Sequence, residues 1–294
     1  MNNIEKYQWP DGKKSAFCFT VDVDAHSAWM WSHRQKVPEL LAHLEQRNFG
    51  PRVGVLRLAG LLQRHGIKGS FFVPAVVAEH HPWLLPHLVE AGHEVGLHGY
   101  FHELVTEVSD AEFTGVLEAS ISLFEQQIGR VPEGFRSPAW EMTPHMLREC
   151  KRFGLYDSSL MGQETPYSVD GVTELPVSWA TDDAIFFKFY GGAGNDLWPP
   201  VGTDVVYSAW KEELAASLEY GTLYMSTVHD FISGRASRAY MLDRFLGDIV
   251  ASNDVWIATA GEIARHHEQT ALDRDAVNSD RPGSLFDHPA WGQS

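Results

Sequence analysis

Two periods divide this chain. Short unbroken apolar runs, rich in aromatic and β-branched residues, occur at Ala16–Val21, Ser70–Val73 and Thr222–Val228. Runs of this kind read as strands buried on both faces. Between them lie stretches with apolar residues three and four apart, the spacing of a helix face. Val53–His65 stops at Gly66, and Pro82–Ala91 stops at Gly92. Asp110–Ile128 opens on Ser109 or Asp110 and closes on Gly129, while the helix to Phe153 starts with Thr143 as N-cap and Pro144 as its first residue. Further helices are expected over Asp204–Tyr220, Ala236–Ala251 and Ala260–His267. Shorter strands are expected at His93–Leu97, Leu155–Ser159, Val172–Leu175, Ile185–Phe189 and Val255–Ile257. Ser27–Val53 has no clean period, and so long a connection in a compact domain is functional or carries an irregular helix.

Strand and helix in alternation predict an α/β fold with parallel strands. At 294 residues and 44% hydrophobic, the chain is read as one domain, 1–294, with its core over about 16–267 and a polar C-terminal arm over about 270–294. No internal repeat is evident. No Gly-x-Gly-x-x-Gly follows the first strand and no phosphate-binding P-loop occurs, so a nucleotide site has no support.

The net charge of −16 argues against nucleic acid or an anionic membrane as partner, since both need clustered cations. No apolar run approaches the roughly 20 residues that cross a bilayer, and no secretory signal is visible at the start. Cys18 and Cys150 read as buried free thiols of a reducing compartment, so a cytoplasmic protein is expected.

Chemistry shows in where the polar residues fall. Asp22 and Asp24 end the first strand, and buried carboxylates there are costly unless something cationic sits nearby. His98 and His102, four apart, follow the strand that ends at Leu97; in a helix or turn they face the same way and suit one divalent cation. Alone, in a chain with 15 histidines, the pair is a weak signal. Arg136 and His229 also follow strands, and in a parallel barrel those ends share one face, where active sites form.

Thr20-Val21-Asp22-Val23-Asp24, His98-x-x-x-His102, Phe135-Arg136-Ser137-Pro138-Ala139-Trp140 and a late strand ending in His229 come in a fixed order. The set resembles the polysaccharide deacetylase family, the NodB-like domain of carbohydrate esterase family four, over roughly residues 16–265. Leu175-Pro176-Val177-Ser178-Trp179 and Gly234-Arg235 with Ser237-Arg238 are similar to a branch holding cytoplasmic peptidoglycan deacetylase-like proteins, cyclic imidases and allantoinase-like enzymes.

The resemblance implies a distorted (β/α) barrel of about seven strands and a metal-dependent hydrolase of non-peptide C–N bonds. Asp24, His98 and His102 would hold the cation, expected to be Zn²⁺, with Co²⁺, Mn²⁺, Fe²⁺ or Ni²⁺ also fitting these ligands. Asp22 would be the general base, oriented by Arg136. The backbone N–H of Ala139 would face the oxyanion, with Trp140 as a pocket wall or core residue. His229 would be the general acid, and Asp157 its orienting carboxylate, with Asp182 and Asp183 as competitors. His26, Trp29, Trp31, Arg235 and Arg238 are candidates for the pocket without assigned roles. Relatives usually carry proline where this chain has Asp230, which puts the protonation of His229 in question. Three functions are open: de-N-acetylation of an amino sugar, opening of a small cyclic imide or ureide, and a silent metal- or carbohydrate-binding scaffold. The intact Asp22, Arg136 and His229 set argues against the third. A homo-oligomer is expected.

Overall fold

A computed structural model describes residues 6–36, 39, 41–187 and 200–270, and the backbone of 276–277. Among the described residues there are ten strands: β1 (Ser15–Asp22), β2 (Ser70–Val73), β3 (Glu94–Leu97), β4 (Gly134–Phe135), β5 (Tyr156–Asp157), β6 (Tyr167–Val169), β7 (Val172–Glu174), β8 (Leu223–His229), β9 (Val255–Ile257) and β10 (Ala276–Val277). They form one sheet in the order β10-β6-β7-β5-β4-β3-β2-β1-β8, with β9 against the start of β1. From β7 to β8 every neighbouring pair is parallel, and only the hairpin β6–β7 is antiparallel. Those seven parallel strands are the curled, incompletely closed barrel that the strand–helix alternation implies. After β7 the chain crosses to the far side and touches β8 at Asp182, opposite Thr227.

The strands are buried on both faces because β1 alternates between two cores. Phe17, Phe19 and Val21 pack outward, where Phe17 meets Tyr224 of β8 and Phe245 of the helix Ala236–Ala251. Ala16 and Cys18 point into the barrel, in a smaller cluster with Phe72 and Met225. The period of two then carries Thr20 and Asp22 to the interior as well. On β8 the partners of Ala16, Cys18, Thr20 and Asp22 are Leu223, Met225, Thr227 and His229. One alternation rule therefore takes both strands from an apolar floor to a polar rim.

Helix ends follow the sequence. Ser109 and Glu112 form a reciprocal capping box, and Thr143 accepts from the Met146 N–H. One expectation fails. Ala184–Phe187 is a short helix where a strand over Ile185–Phe189 was expected, and residues 188–189 lie outside the described residues, as does nearly all of the expected C-terminal arm. The segment without a clean period is largely helical: Ser27–Ser32, then a stretch from Leu41 to Arg64 whose middle, Gly50–Gly54, is π-helical. The extra residue of a π turn shifts the phase of the apolar face, which hides the helix from a 3.6-residue count.

Gly50 and Gly54 let this stretch lie directly on the loop after β8. A Cβ on Gly54 would stand 2.0 Å from the Asp230 carbonyl oxygen, and one on Gly50 would stand 1.9 Å from its Oδ2. Glycine-to-alanine in a helix normally stabilises by about 0.5–1 kcal/mol. Here the sign reverses: Gly54→Ala should cost ~1–3 kcal/mol through overpacking, read as a lower urea midpoint at unchanged slope. A midpoint equal to or above that of the parent protein would show that the two segments do not touch as described.

Candidate active site

Asp22 is the last residue of β1, and Asp24 follows one residue beyond Val23, whose N–H bonds the Phe72 carbonyl. His98 comes directly after β3. Its partner His102 is brought round by a left-handed turn, with φ of 69° at Gly99 and 58° at His102, so the i, i+4 approach is made by a turn. The buried Glu103 carboxylate caps that turn by accepting from the Tyr100 and Phe101 N–H groups. A Cβ on Gly99 would lie 2.7 Å from the same carboxylate, so glycine is needed there twice over.

The Nε2 atoms of His98 and His102 lie 3.5 and 3.6 Å from Asp24 Oδ1. That oxygen is buried and has no hydrogen-bond partner among the described residues. One ligand atom from each of the three residues falls within 4.8 Å of the others. Two imidazoles, one carboxylate and an orphaned buried oxygen at their centre fit a divalent cation. His98 Nδ1 lies 2.7 Å from the Arg136 carbonyl, which can only accept, so the proton sits on Nδ1 and leaves the Nε2 lone pair toward Asp24. Burial works to raise the Asp24 carboxyl, but His102, His98 and His229 outweigh it and hold it well below its usual range. Burial lowers His102 to about 4, which leaves that imidazole neutral, as a ligand must be.

Beside this group, Arg136 is wholly buried and donates through Nη1 to Asp22 Oδ1 at 2.8 Å and to Thr20 Oγ1 at 2.7 Å. Nε and Nη2 bond the carbonyl and hydroxyl of Ser158, and the guanidinium lies 4.2 Å over the Phe72 ring. Asp22 is thus held on one side while its Oδ2 faces His98 at 3.9 Å. The following loop is strained, with φ of 57° at Ala139 and 59° at Trp140. Non-glycine residues cost of order 1–3 kcal/mol there and persist where their surroundings over-determine them. Ala139 and Trp140 both line the cavity, and Trp140 packs on Trp179 at 4.3 Å between ring centres.

His229 closes the ring, its Nε2 4.0 Å from Asp24 Oδ2. Here one expectation is corrected: the carboxylate on His229 is Asp183, not Asp157. Asp183 Oδ1 accepts from His229 Nδ1 at 2.7 Å, and Oδ2 accepts from the His229 backbone N–H at 3.0 Å. Burial lowers the imidazole, but Asp183, Asp182 and Asp24 together carry it up to about 10. Asp157 lies below the Arg136 loop, directly opposite Glu174 on the neighbouring strand. Burial raises both carboxyls; repulsion from Asp157 raises Glu174 further, while a hydrogen bond with Glu174 partly offsets the rise at Asp157. Asp157 acts on the site from a distance: it accepts from Ser159 Oγ, which in turn accepts from the Ser137 N–H.

The cavity over these residues measures about 310 Å³. Trp29, Trp31 and Arg47 wall one side, from the segment that shows no clean period, and Trp140 and Trp179 wall the other. Arg47 had no sequence signal, since nothing in its surroundings repeats. His26 turns away from the cavity and pairs with His80 at 2.8 Å. Arg235 stacks on Phe49 and Arg238 on Phe187, and neither lines the cavity. Asp230 is buried beneath, accepting from the Phe231 and Ala25 N–H groups, and burial followed by Asp24 raises it to about 7.

The family pattern described as polysaccharide deacetylase matches residues 48–157. A crystal structure of a provisionally named polysaccharide deacetylase from Mycobacterium smegmatis is 34% identical, superposes with a TM-score of 0.85, and covers 94% of this chain and 97% of its own. The chain belongs to the polysaccharide deacetylase family. Another relative, a peptidoglycan deacetylase of Helicobacter pylori, is 25% identical over 86% of this chain and 96% of its own length. An allantoinase crystal structure has a TM-score of 0.80 at 20% identity, over 92% of this chain and 95% of its own, a likeness of fold. In this deacetylase-family chain the described residues that line the cavity come from strand ends or the turns after them, apart from the wall carrying Trp29, Trp31 and Arg47 and the segment carrying Trp179, Asp182 and Ala184.

The charge on His229 gives a prediction. With its pKa at about 10 in place of 6.5, the pairing contributes stability fully present below pH 6.5 and lost as pH rises through 10. In Asp183→Asn the His229 midpoint, followed by NMR, should fall by at least ~1 unit. An unmoved midpoint would assign the shift to the other carboxylates.

Proposed function

We propose that this protein hydrolyses a non-peptide C–N bond in a compact amide, in the manner of a deacetylase, with a divalent cation held by Asp24, His98 and His102. That cation, expected to be Zn²⁺, would acidify a water and polarise the substrate carbonyl. The chain's own groups supply the rest. Asp22, fixed by Arg136, takes the proton of the attacking water. The Ala139 N–H, on its strained loop, faces the developing oxyanion. His229 gives its Nε2 proton to the leaving nitrogen, and Asp183 holds the ring by Nδ1 so that Nε2 faces the cleft.

The observation that carries the proposal is the separation of two carboxylates two residues apart. Asp22 is bound to a buried guanidinium, whereas Asp24 keeps a buried oxygen free among imidazoles. A pure binding scaffold needs no such division of labour.

For the substrate, de-N-acetylation of an amino sugar is the first reading, in keeping with the family. A second is favoured by the cavity: at about 310 Å³, walled by tryptophans on two sides, it suits a small whole molecule, such as a cyclic imide or ureide, better than the middle of a polymer. The two buried free cysteines support a reducing compartment, and we place the reaction in the cytoplasm. Acetate release from N-acetylglucosamine oligomers, set beside hydrolysis of succinimide and allantoin, separates the two readings. No turnover of any of them by the zinc-loaded protein would overturn both.

Two substitutions test the roles. Asp22→Asn should keep its metal, measured by atomic absorption, and lose ~10²–10⁴-fold in kcat, the range of general-base catalysis. His98→Ala should lose most of its metal. Loss of metal in Asp22→Asn would mean that the two aspartates are interchanged.

A further inference from the structure

Asp157 and Glu174 are buried carboxyls that the reaction described above leaves without a task. Neither is exposed at all, and both take their donors from one short turn. Glu174 Oε1 accepts from the N–H groups of Ser159 and Leu160 at 3.0 and 2.9 Å. Asp157 Oδ1 accepts from the Ser159 hydroxyl at 2.7 Å. The other oxygen of each, Asp157 Oδ2 and Glu174 Oε2, is buried and meets no N–H or hydroxyl donor among the described residues. β5 and β7 set the two residues directly opposite one another, and the side chains hydrogen-bond to each other. Carboxylate oxygens can only accept, so a bond between two carboxyl groups needs a proton. One proton shared by the pair supplies it, leaves a single negative charge in place of two, and gives both orphaned oxygens a partner.

The turn that this pair holds carries two supports of the site. Ser158 accepts from Arg136, with Nε bonded to its carbonyl and Nη2 to its hydroxyl at 3.0 and 2.9 Å. That hydroxyl donates in turn to the carbonyl of Leu175, the residue after Glu174. Ser159 gives its N–H to Glu174 and its O–H to Asp157, which leaves its oxygen fixed to accept from the Ser137 N–H at 2.8 Å. Ser137 opens the loop in which Ala139 and Trp140 have left-handed φ, and its hydroxyl bonds the Glu141 carbonyl at the far end of that loop. Two unprotonated carboxylates here would repel each other in a medium that screens them poorly, and the turn would loosen with them.

We propose that Asp157 and Glu174 are positioning residues: one proton shared between them locks the turn of Ser158 and Ser159, and the turn aims Arg136 at Asp22 and holds the Ala139 loop in its strained form. The positioning role rests on the amide-hydrolysis reading, whereas the shared proton and the locked loop do not.

Infrared difference spectra of the full-length protein at neutral pH read the proton. Glu174→Gln and Asp157→Asn should each lose one carboxylic-acid C=O band relative to the parent, because the carboxyl that remains ionises while the new amide supplies the N–H. Loss of no band, or of two, would overturn the shared proton. Exchange of the Ser137 amide, followed by NMR, reads the loop. It should quicken by about tenfold or more in Glu174→Ala, and stay within about threefold of the parent in Glu174→Gln, whose amide keeps the hydrogen bonds. Equal exchange in all three proteins would overturn the positioning role, as would exchange in Glu174→Gln as fast as in Glu174→Ala. Where Glu174→Ala folds poorly, Glu174→Leu, which fills the space without hydrogen bonds, decides by the same measurement. On any amide that is turned over, Glu174→Ala should lower kcat by about tenfold and change KM less than about twofold, since the aimed groups act in the transition state. A change in KM alone would count against the role. Failure of the hydrolysis reading looks different, with the band and the exchange as stated while no amide is turned over.

Discussion

A carboxylate that gives up water must be met by positive charge or by protons, and Asp24 is the carboxylate around which this molecule meets that demand. It is 4% exposed, with one oxygen free of hydrogen bonds among the described residues. Three imidazoles and one guanidinium lie within 4.0 Å of it, supplied by the ends of β3 and β8, the turn after β3, and the helix Leu41–Phe49. No single element could surround a side chain in this way. A parallel sheet can, because its strand ends gather on one edge and its side-chain period delivers Asp22 and His229 to the same interior. Placing charge there is destabilising in itself, and the apolar layers on both faces of β1 are what the fold sets against it.

The neighbouring charges are then arranged in separate pairs. Asp22 goes to Arg136 and His229 goes to Asp183, each at 2.7–2.8 Å. An imidazole this close to carboxylates gains a proton, as His229 does, while Arg136 holds Asp22 by a direct hydrogen bond. The strained backbone belongs to the same arrangement. Of the six non-glycine residues with left-handed φ among those described, Ala25, His102, Ala139 and Trp140 flank Asp24 or line its cavity. Strain concentrated at one place, and held by buried hydrogen bonds such as those of Asp230 to Ala25, is expected where geometry is set by function.

The barrel strands, the capped helices and the positions of Asp22, Asp24, His98, His102, Arg136 and His229 at strand ends were legible, because each depends on local period or on a turn residue near in sequence. What could not be read depends on register between distant strands. Asp157, Asp182 and Asp183 are three carboxylates that local period does not tell apart. Only the pairing of β5 with β7 shows that Asp157 faces Glu174, and only the crossing at Thr227 brings Asp183 under His229. Arg47 was hidden for another reason. A π turn breaks the helical count, so the wall that carries it had no period to reveal it.

On the proposed reading, that wall is also where substrate choice would be decided. The strand-end groups would then act on any amide held beside Asp24, His98 and His102, because they face only the reacting atoms. Discrimination would come from the cavity's outer residues, such as Trp29, Trp31, Arg47, Trp179 and Ala184, which lie outside the parallel strands. The two walls differ in kind. Trp140 and Trp179 offer flat apolar surface, which accepts a sugar face or a planar ring alike. Arg47 brings a fixed positive charge to the other wall, 3.7 Å from Asp24 Oδ2 and 4.0 Å over the Phe231 ring. The charge on this wall of the cavity therefore depends on a single helix seated by two glycines, outside the parallel strands.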